Sequence, residues 1–326
     1  MATREAAKQE PMPYPEHDKL GPLGMRPSAL HDPIELRAKL LTEFANAVQA
    51  AREAVAVVDE DTTRAVHGAR KALRRARGVL ALLGGALPKS ERHAVKAALQ
   101  AARRSLSTIR DHAVAPEALG QLELSDEDRA TARRVLDNAA ESIPPVTEVK
   151  QLLAEAATRA AAQAEALQAA VPPAVSWDVV SRGICKVYGQ ARDARKAAKR
   201  SKSAFHEWRR RSKELVYQLD LVARHAGARA LAIDAEFDAV TDALGPAVDL
   251  LMLREFVHTH AHGIPADEID HLRDSLDDQL GELMKGTRRI SRDVYDAKPK
   301  KFERRLNKSV KRDLTPADEL RNGQNV

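Results

Sequence analysis

Cysteine is nearly absent: Cys185 is the single one among 326 residues. One cysteine can build neither an intrachain disulfide framework nor a cysteine-based metal centre. Aromatic residues make up only 3%, too few for a surface of stacking platforms such as single-stranded nucleic acids prefer. β-branched runs with a period of two are scarce, which argues against sheets. No apolar run reaches the length of a membrane span; the longest lies near Val79–Leu87. The N-terminus lacks the charged-then-apolar pattern of a secretory signal, so a cytoplasmic location without membrane attachment is expected. Phosphate-loop glycines, a nucleophile elbow and a dinucleotide fingerprint are all missing, which removes the commonest signatures of nucleotide and acyl-transfer enzymes.

What remains is helix-forming material. Hydrophobic residues make up 44%, enough for a sizeable core, and alanine is abundant. Ala and Leu with Glu, Lys and Arg favour helices, and Ala lets them approach closely. The spacing predicts an all-α protein. Residues 1–32, crowded with prolines, read as a poorly ordered leader. Helical periodicity begins at Glu35 with Leu36, Leu40, Leu41, Phe44 and Val48. Asp61 and Thr62 offer a cap for a second helix reaching about Gly84. A third is expected over 94–109, a short helix and loop over 113–125, and further helices over 126–142 and 147–170. Pro172-Pro173 breaks the chain. Helices then follow over about 176–202, 205–225, 229–243, 247–261 and 266–296, with a basic and then polar tail. The expected units are 33–172, 173–311 and a polar tail 312–326.

Charge is distributed unevenly. The 53 Lys and Arg exceed the 47 Asp and Glu by only six, yet the segment 64–77 carries Arg64, Arg70, Lys71, Arg74, Arg75 and Arg77 and no acid. This segment has a counterpart. Val66-His67-x-x-Arg70-Lys71-x-x-Arg74 is matched by Phe205-His206-x-x-Arg209-Arg210-x-x-Lys213, an offset of 139 residues between His67 and His206. Downstream, Ile109-Arg110-Asp111-His112 is matched by Ala247-Val248-Asp249-Leu250 at an offset of 138. Two landmarks that keep nearly one offset indicate an internal duplication, with two helical bundles related by a pseudo-two-fold axis.

On a helical wheel, Arg70, Lys71, Arg74, Arg75 and Arg77 all fall within about 80° of His67, while Val66, Leu73, Val79 and Leu80 fall opposite. In the second helix His206, Arg209, Arg210, Lys213 and Tyr217 share one side, and Phe205, Trp208, Leu215 and Leu219 the other. Arg211 points to the apolar flank, where a carboxylate partner is expected. Like charges at i, i+3 and i+4 repel by a few tenths of a kcal/mol per pair. A solvated face ordinarily mixes signs to avoid this. A single charge run is usually just such a face, and a lone histidine is usually structural, but the repetition of both favours an anion as the missing partner. Phosphate suits the arginine fork. His67 and His206 are expected to donate to it, with neighbouring cations disfavouring the imidazolium until an anion arrives.

These residues resemble the CHAD family, the conserved histidine α-helical domain, over roughly 33–311. The signatures are Val66-His67-x-x-Arg70-x-x-Leu73-Arg74-Arg75-x-Arg77 and Phe205-His206-Glu207-Trp208-Arg209-Arg210-Arg211-Ser212-Lys213-x-Leu215-x-Tyr217-Gln218-Leu219. Val187-Tyr188-Gly189-Gln190-Ala191-Arg192-x-x-Arg195-Lys196-Ala197 precedes the second. Asp111 and Asp249 fall where the family places an aspartate after its third helix. The run from Arg288 to Lys300 also fits. Val216 departs from the pattern, standing where a basic residue is frequent. The resemblance implies two four-helix bundles with a basic central cavity between them, and binding of inorganic polyphosphate at granules. The acidic Glu-x-Glu-x-Lys strand of the hydrolase domain fused to some members is missing here.

The expected site is therefore one wall of His67, Arg70, Lys71, Arg74, Arg75 and Arg77 and another of His206, Arg209, Arg210, Lys213 and Tyr217. Lys186, Arg192, Arg195 and Lys199 are expected to extend the second wall, and Arg288, Arg289 and Arg292 to close the groove. His258, His260 and His262 alternate as strand ligands would, but on a helix they diverge, so no metal is expected. His93, His112 and His225 read as surface or helix-end residues. Asp111 and Asp249 are expected to orient a cation or cap a helix rather than hold a metal. The expected function is non-catalytic polyphosphate binding with no cofactor, with granule-associated proteins as further partners. The alternatives are a nucleic-acid or nucleoid-associated protein and, behind it, a phosphate-metabolising enzyme.

Overall fold

The computed structural model describes residues 30–198, 201–226 and 228–314. Among them are eleven α-helices and no strand. Helices α1 (Pro33–Ala56), α2 (Thr62–Leu82), α3 (Lys89–Arg104), α4 (Ser107–Gly120), α5 (Asp126–Ala140) and α6 (Val146–Ala170) precede the Pro172-Pro173 break. Helices α7 (Trp177–Ala197), α8 (Lys202–Ala226), α9 (Ala228–Thr259), α10 (Ala266–Ile290) and α11 (Pro299–Leu314) follow it.

Local chemistry starts the helices where it should. Asp32 accepts from the backbone N–H groups of Ile34 and Glu35, at 2.8 and 3.2 Å. Asp61 accepts from Arg64 at 2.8 Å, and Ser125 from Asp128 at 3.0 Å. Each such cap satisfies donors that the first helical turn leaves open and contributes about 1 kcal/mol. Of the expected leader, residues 1–29 lie outside the described residues. Leu30 is buried and Asp32 caps α1, so its last residues are docked.

Several boundaries differ from the sequence reading. The break expected between 243 and 247 does not exist: α9 runs through Gly245-Pro246. An interior proline costs about 3 kcal/mol. Burial of Leu244, Val248, Leu250, Leu251 and Leu253 around it, worth about 1.5–3 kcal/mol per large side chain, outweighs that. Helix α3 starts straight after Pro88, earlier than expected, and α4 occupies much of the expected loop. The start of the expected tail is helix α11, whose Phe302, Leu306 and Val310 recur every four residues and are buried. It continues to Leu314, past the expected boundary at 311, and 315–326 lie outside the described residues.

The core is one contiguous body of apolar side chains. Helices α1, α2, α3 and α6 pack together, as do α7, α8, α9 and α11; α2 packs on α7 and α8, α4 on α9, and α5 on α10. Aromatic residues are concentrated inside the second group. Tyr188 stacks on Phe302 with centroids 4.0 Å apart, Phe237 meets both edge-on, and the Tyr295 hydroxyl lies 2.7 Å from that of Ser212. Val216, the departure from the basic pattern, is buried on the core side of α8.

Two glycines set how closely α2 is approached. A Cβ at Gly78 would lie 3.4 Å from Tyr217 Cβ, so α2 and α8 touch there almost backbone to side-chain root. The Gln218 amide reaches the Gly78 carbonyl across the same crossing, at 3.5 Å. On α7, a Cβ at Gly183 would stand 3.2 Å from the Ala81 carbonyl oxygen and 3.5 Å from Leu82 Cα. Gly183→Leu is therefore expected to cost about 1–3 kcal/mol by overpacking. Gly281→Ala, where an added Cβ meets nothing within 4 Å, should gain about 0.5–1 kcal/mol from the lost backbone freedom of glycine. Thermal melts of the two variants should move in opposite directions.

Candidate anion-binding site

The close crossing of α2 over α8 brings the two repeated basic faces together. Arg70, Arg74 and Arg77 lie on one flank of the α2 face. The charges acting on Arg209 and Lys213 of α8 include Arg74, and those acting on Arg77 include Arg210 and Arg211. Arg74 is the hub: it also acts on His67, Arg70 and Arg103. Lys71 lies beside His67. Arg75, at about 80° from His67 on the other flank, is a principal charge neighbour of none of these groups.

Two members were missed in the sequence. Arg103, in the last turn of α3, and Arg110, in α4, both join the group. Arg110 donates to Asp111 at 3.0 Å and to Asp249 of α9 at 3.1 Å. One guanidinium thus spans both aspartates of the repeat, the orienting role expected of them. Arg110 was legible as the residue before Asp111. Arg103 carried no motif, and only the packing of α3 against α2 delivers it.

The group is crowded with like charge and partly desolvated. Burial, then the charges of Arg103, Arg74 and Arg110, push Arg70 down to about 10. Burial, then Arg77, Arg74 and Arg210, push Arg103 down to about 10 as well. Arg77, Arg209 and Lys213 are lowered for the same first reason, with Glu214, Asp249 and Asp242 pulling the other way. The guanidinium groups remain cationic at neutral pH. The Nε–H groups of Arg103 and Arg209 are buried without a hydrogen-bond partner among the described residues. Unsatisfied buried donors are costly, and donors of this charge suit an anion's oxygens.

The histidines sit at the edge of this group. Solvent reaches both rings, yet protein surrounds them closely enough that partial desolvation is the first cause lowering their pKa. For His67, Arg74, Lys71, Arg110 and Arg70 add to it; for His206, Arg209 and Arg110 do.

Other expected members are used differently. Arg70 donates to the Arg103 carbonyl at 3.2 Å and to Ser107 at 3.3 Å, tying α2 to the α3–α4 junction. Arg210 is exposed and paired with Glu207. Arg211 bridges Glu207 and Glu214 at 2.7 and 3.1 Å, the carboxylate pairing expected for it. Lys213 lies 3.8 Å from Asp242, and Tyr217 forms the contact with Gly78.

The expected extension of the second wall is not joined to this group. Arg192 donates to the carbonyls of Tyr295 and Asp296, at 3.0 and 3.3 Å. Arg195 donates to Ser291 and to the Arg288 carbonyl, both at 2.8 Å. Both latch the end of α10 and the turn that leads to α11. The charges around Arg195 are those of Arg292, Arg192 and Arg288, a separate basic region that includes the exposed Arg289 and Arg292. Lys186 is exposed on α7, and Lys199 lies outside the described residues.

The backbone of the histidine run near the end of α9 is tied to α5. Asn138 of α5 donates to the carbonyls of His260 and His262, at 2.9 and 2.8 Å. His112 is buried, not a surface residue: its ring packs against Phe256 and His260, with centroids 5.5 and 5.3 Å apart. His93 is exposed, and the side chain of His225 lies outside the described residues. Among the described residues no group of three or more His, Cys, Asp or Glu could hold a metal ion, and no helix is long and apolar enough to cross a membrane.

Comparison with known proteins bears on this geometry. Residues 39–258 match the family model described as the CHAD domain. That stretch runs from α1 almost to the end of α9 and holds all of the basic group. The crystal structure of the CHAD domain from the plant Ricinus communis is similar in fold, with a TM-score of 0.58 at 17% identity, over 85% of this chain and 95% of that one. No curated protein matches in sequence.

The crowding has a measurable consequence. Arg74→Gln removes the charge that acts on most of the others. In ligand-free protein at low salt it should raise stability by about 1 kcal/mol, several like-charge pairs of a few tenths each. Added sulfate should narrow the difference in melting temperature between variant and wild type.

Proposed function

The chain belongs to the CHAD family, and on that footing we propose that it binds inorganic polyphosphate between α2 and α8 without transforming it. The observation that carries this is the group itself: Arg70, Arg74, Arg77, Arg103, Arg110, Arg209 and Lys213, from four helices and from both sides of the Pro172-Pro173 break, crowded together with buried guanidinium N–H groups unspent. A flexible polymer with about one charge per phosphate offers these cations several oxygens at once. The two carboxylates of the site are occupied by Arg110, which favours holding an anion over activating water to attack it.

We read the chain as two bundles related by a pseudo-two-fold axis, with the basic group in a central cavity between them. Shifting α3 and α4 by 139 residues places them on the two segments of α9 either side of Pro246, which supports the duplication. At the offset of 138 that aligns Asp111 with Asp249, Val248 stands where the first half has Arg110, so the bridge to both aspartates is built once. A role at polyphosphate granules in the cytoplasm, targeting or scaffolding, follows from the same reading.

Polyphosphate should bind with log K falling against log salt at a slope on the order of −4 if about six phosphates are engaged. Changing Arg74 and Lys213 to Gln should weaken binding at least tenfold and flatten the slope by about one per cation removed. Changing Arg70, Arg74, Arg209 and Lys213 together to Glu should abolish it. Unchanged affinity in folded variants would remove the site assignment. DNA should be displaced by polyphosphate at far lower monomer concentration; the reverse order would favour the nucleic-acid reading. No phosphate release or nucleotide conversion is expected with magnesium and nucleotides present.

The histidines add a pH dependence with a definite sign. Their pKa values lie below the usual 6.5 in the free protein, and bound phosphate raises them. Binding therefore takes up protons, and affinity should rise as pH falls from 8 to 6 at fixed salt, levelling off once the free imidazoles are also protonated. A flat profile would make both rings bystanders.

A further inference from the structure

Beside the basic group lies a cavity of a different character. It occupies about 540 Å³ between the end of α4 with its following loop, the middle of α9 and the second half of α10. That is within the range of small-ligand pockets, about 300–1,000 Å³. Its walls are apolar, chiefly Leu122, Pro246, Leu250, Leu253 and Leu283. Its charged lining consists of Glu123, Asp249, Asp278 and Glu282, and no Lys, Arg or His lines it. Gln279 donates to the Glu123 carbonyl at 3.0 Å and ties the loop to α10, so the walls are held in place.

The carboxylates differ in how far their charge is answered. Glu282 is paired with Lys285 at 2.7 Å, and Asp249 with Arg110. Glu123 and Asp278 have no cationic partner among the described residues. An anion would be repelled here, and a bare metal ion would face leucines on most sides. A ligand with an aliphatic body and an ammonium head meets both parts of the lining: the body removes apolar surface from water and the head neutralises the rim.

Asp249 belongs to both places. It lines the cavity and it accepts from Arg110 within the basic group. We propose that the cavity binds an aliphatic ammonium ligand which competes with Arg110 for Asp249 and thereby frees Arg110 for the anion. The coupling half of this rests on the polyphosphate reading; the cavity half does not. Linkage makes the coupling reciprocal, so polyphosphate should tighten the amine by the same factor.

The test is calorimetric titration of the full chain with n-hexylamine, without polyphosphate, beside methylamine and hexanol. Hexylamine should bind saturably and at least tenfold more tightly than either control. The double variant Asp278→Asn/Glu282→Gln changes two exposed side chains, so it should fold, and should weaken hexylamine at least tenfold. Leu283→Trp, with folding checked by its melt, should abolish binding by filling the space. No saturable binding, binding no better than hexanol, or an unchanged double variant would overturn the site. Polyphosphate affinity should then rise at least threefold with saturating hexylamine relative to equimolar methylamine, and not in Asp249→Asn. Hexylamine binding without that rise would overturn the coupling. A chain that takes hexylamine but no polyphosphate supports the cavity while sinking both the polyphosphate reading and the coupling.

Discussion

Mutual repulsion among arginines held between α2 and α8 is the constraint to which the rest of the molecule answers. Burial and like charge together depress Arg70 and Arg103 and lower Arg77, Arg209 and Lys213. A group of this kind does not assemble itself. It is held by a core in which small residues at the helix crossings, Gly78 against Tyr217 and Gly183 against Ala81, bring backbones close. That crowding costs folding free energy, and in the function proposed above an anion supplies the missing charge.

Compensation within the protein is partial and placed with some economy. Arg110 is the one guanidinium of the group given two carboxylates, and those come from α4 and α9. It ties the two sides of the molecule together at the site itself. Glu207 and Glu214 answer Arg211 on the flank, and Asp242 stands near Lys213. The remaining uncompensated charge lies between the helices. Away from the group the same residue type has another use: Arg192 and Arg195 cap the carbonyls of the α10–α11 turn. Arginine's fork serves phosphate oxygens and peptide oxygens alike, so residue type alone does not separate binding from structure.

Much of the site was legible because it is written twice. The repeat from His67 to Arg74 and from His206 to Lys213 places cations on the helix face opposite Leu73 and Leu215, and that face assignment follows from helical geometry alone. The capping role of Asp61 and the pairing of Arg211 were readable for the same local reason. Arg103 was not, since nothing in its own segment distinguishes it from a solvated arginine. Nor was the continuity of α9 through Pro246, because the burial that outweighs the proline is contributed by other helices. The helix α11 was readable in principle from the spacing of Phe302, Leu306 and Val310, which the density of lysines obscures.

The linear order of residues determined that this protein is helical, that two of its helices each carry a basic face, and that His67 and His206 sit among cations. These are consequences of periodicities spanning one or two turns, which a single helix enforces by itself. Only the tertiary structure decided that the faces meet, that Arg103 and Arg110 join them, that Arg192 and Arg195 do not, and that Asp249 is shared with an acidic cavity. Those outcomes depend on the distance and angle at which helices cross, and crossings are set by packing between segments far apart in the chain, from 33 residues for Arg70 and Arg103 to 139 for Arg110 and Asp249.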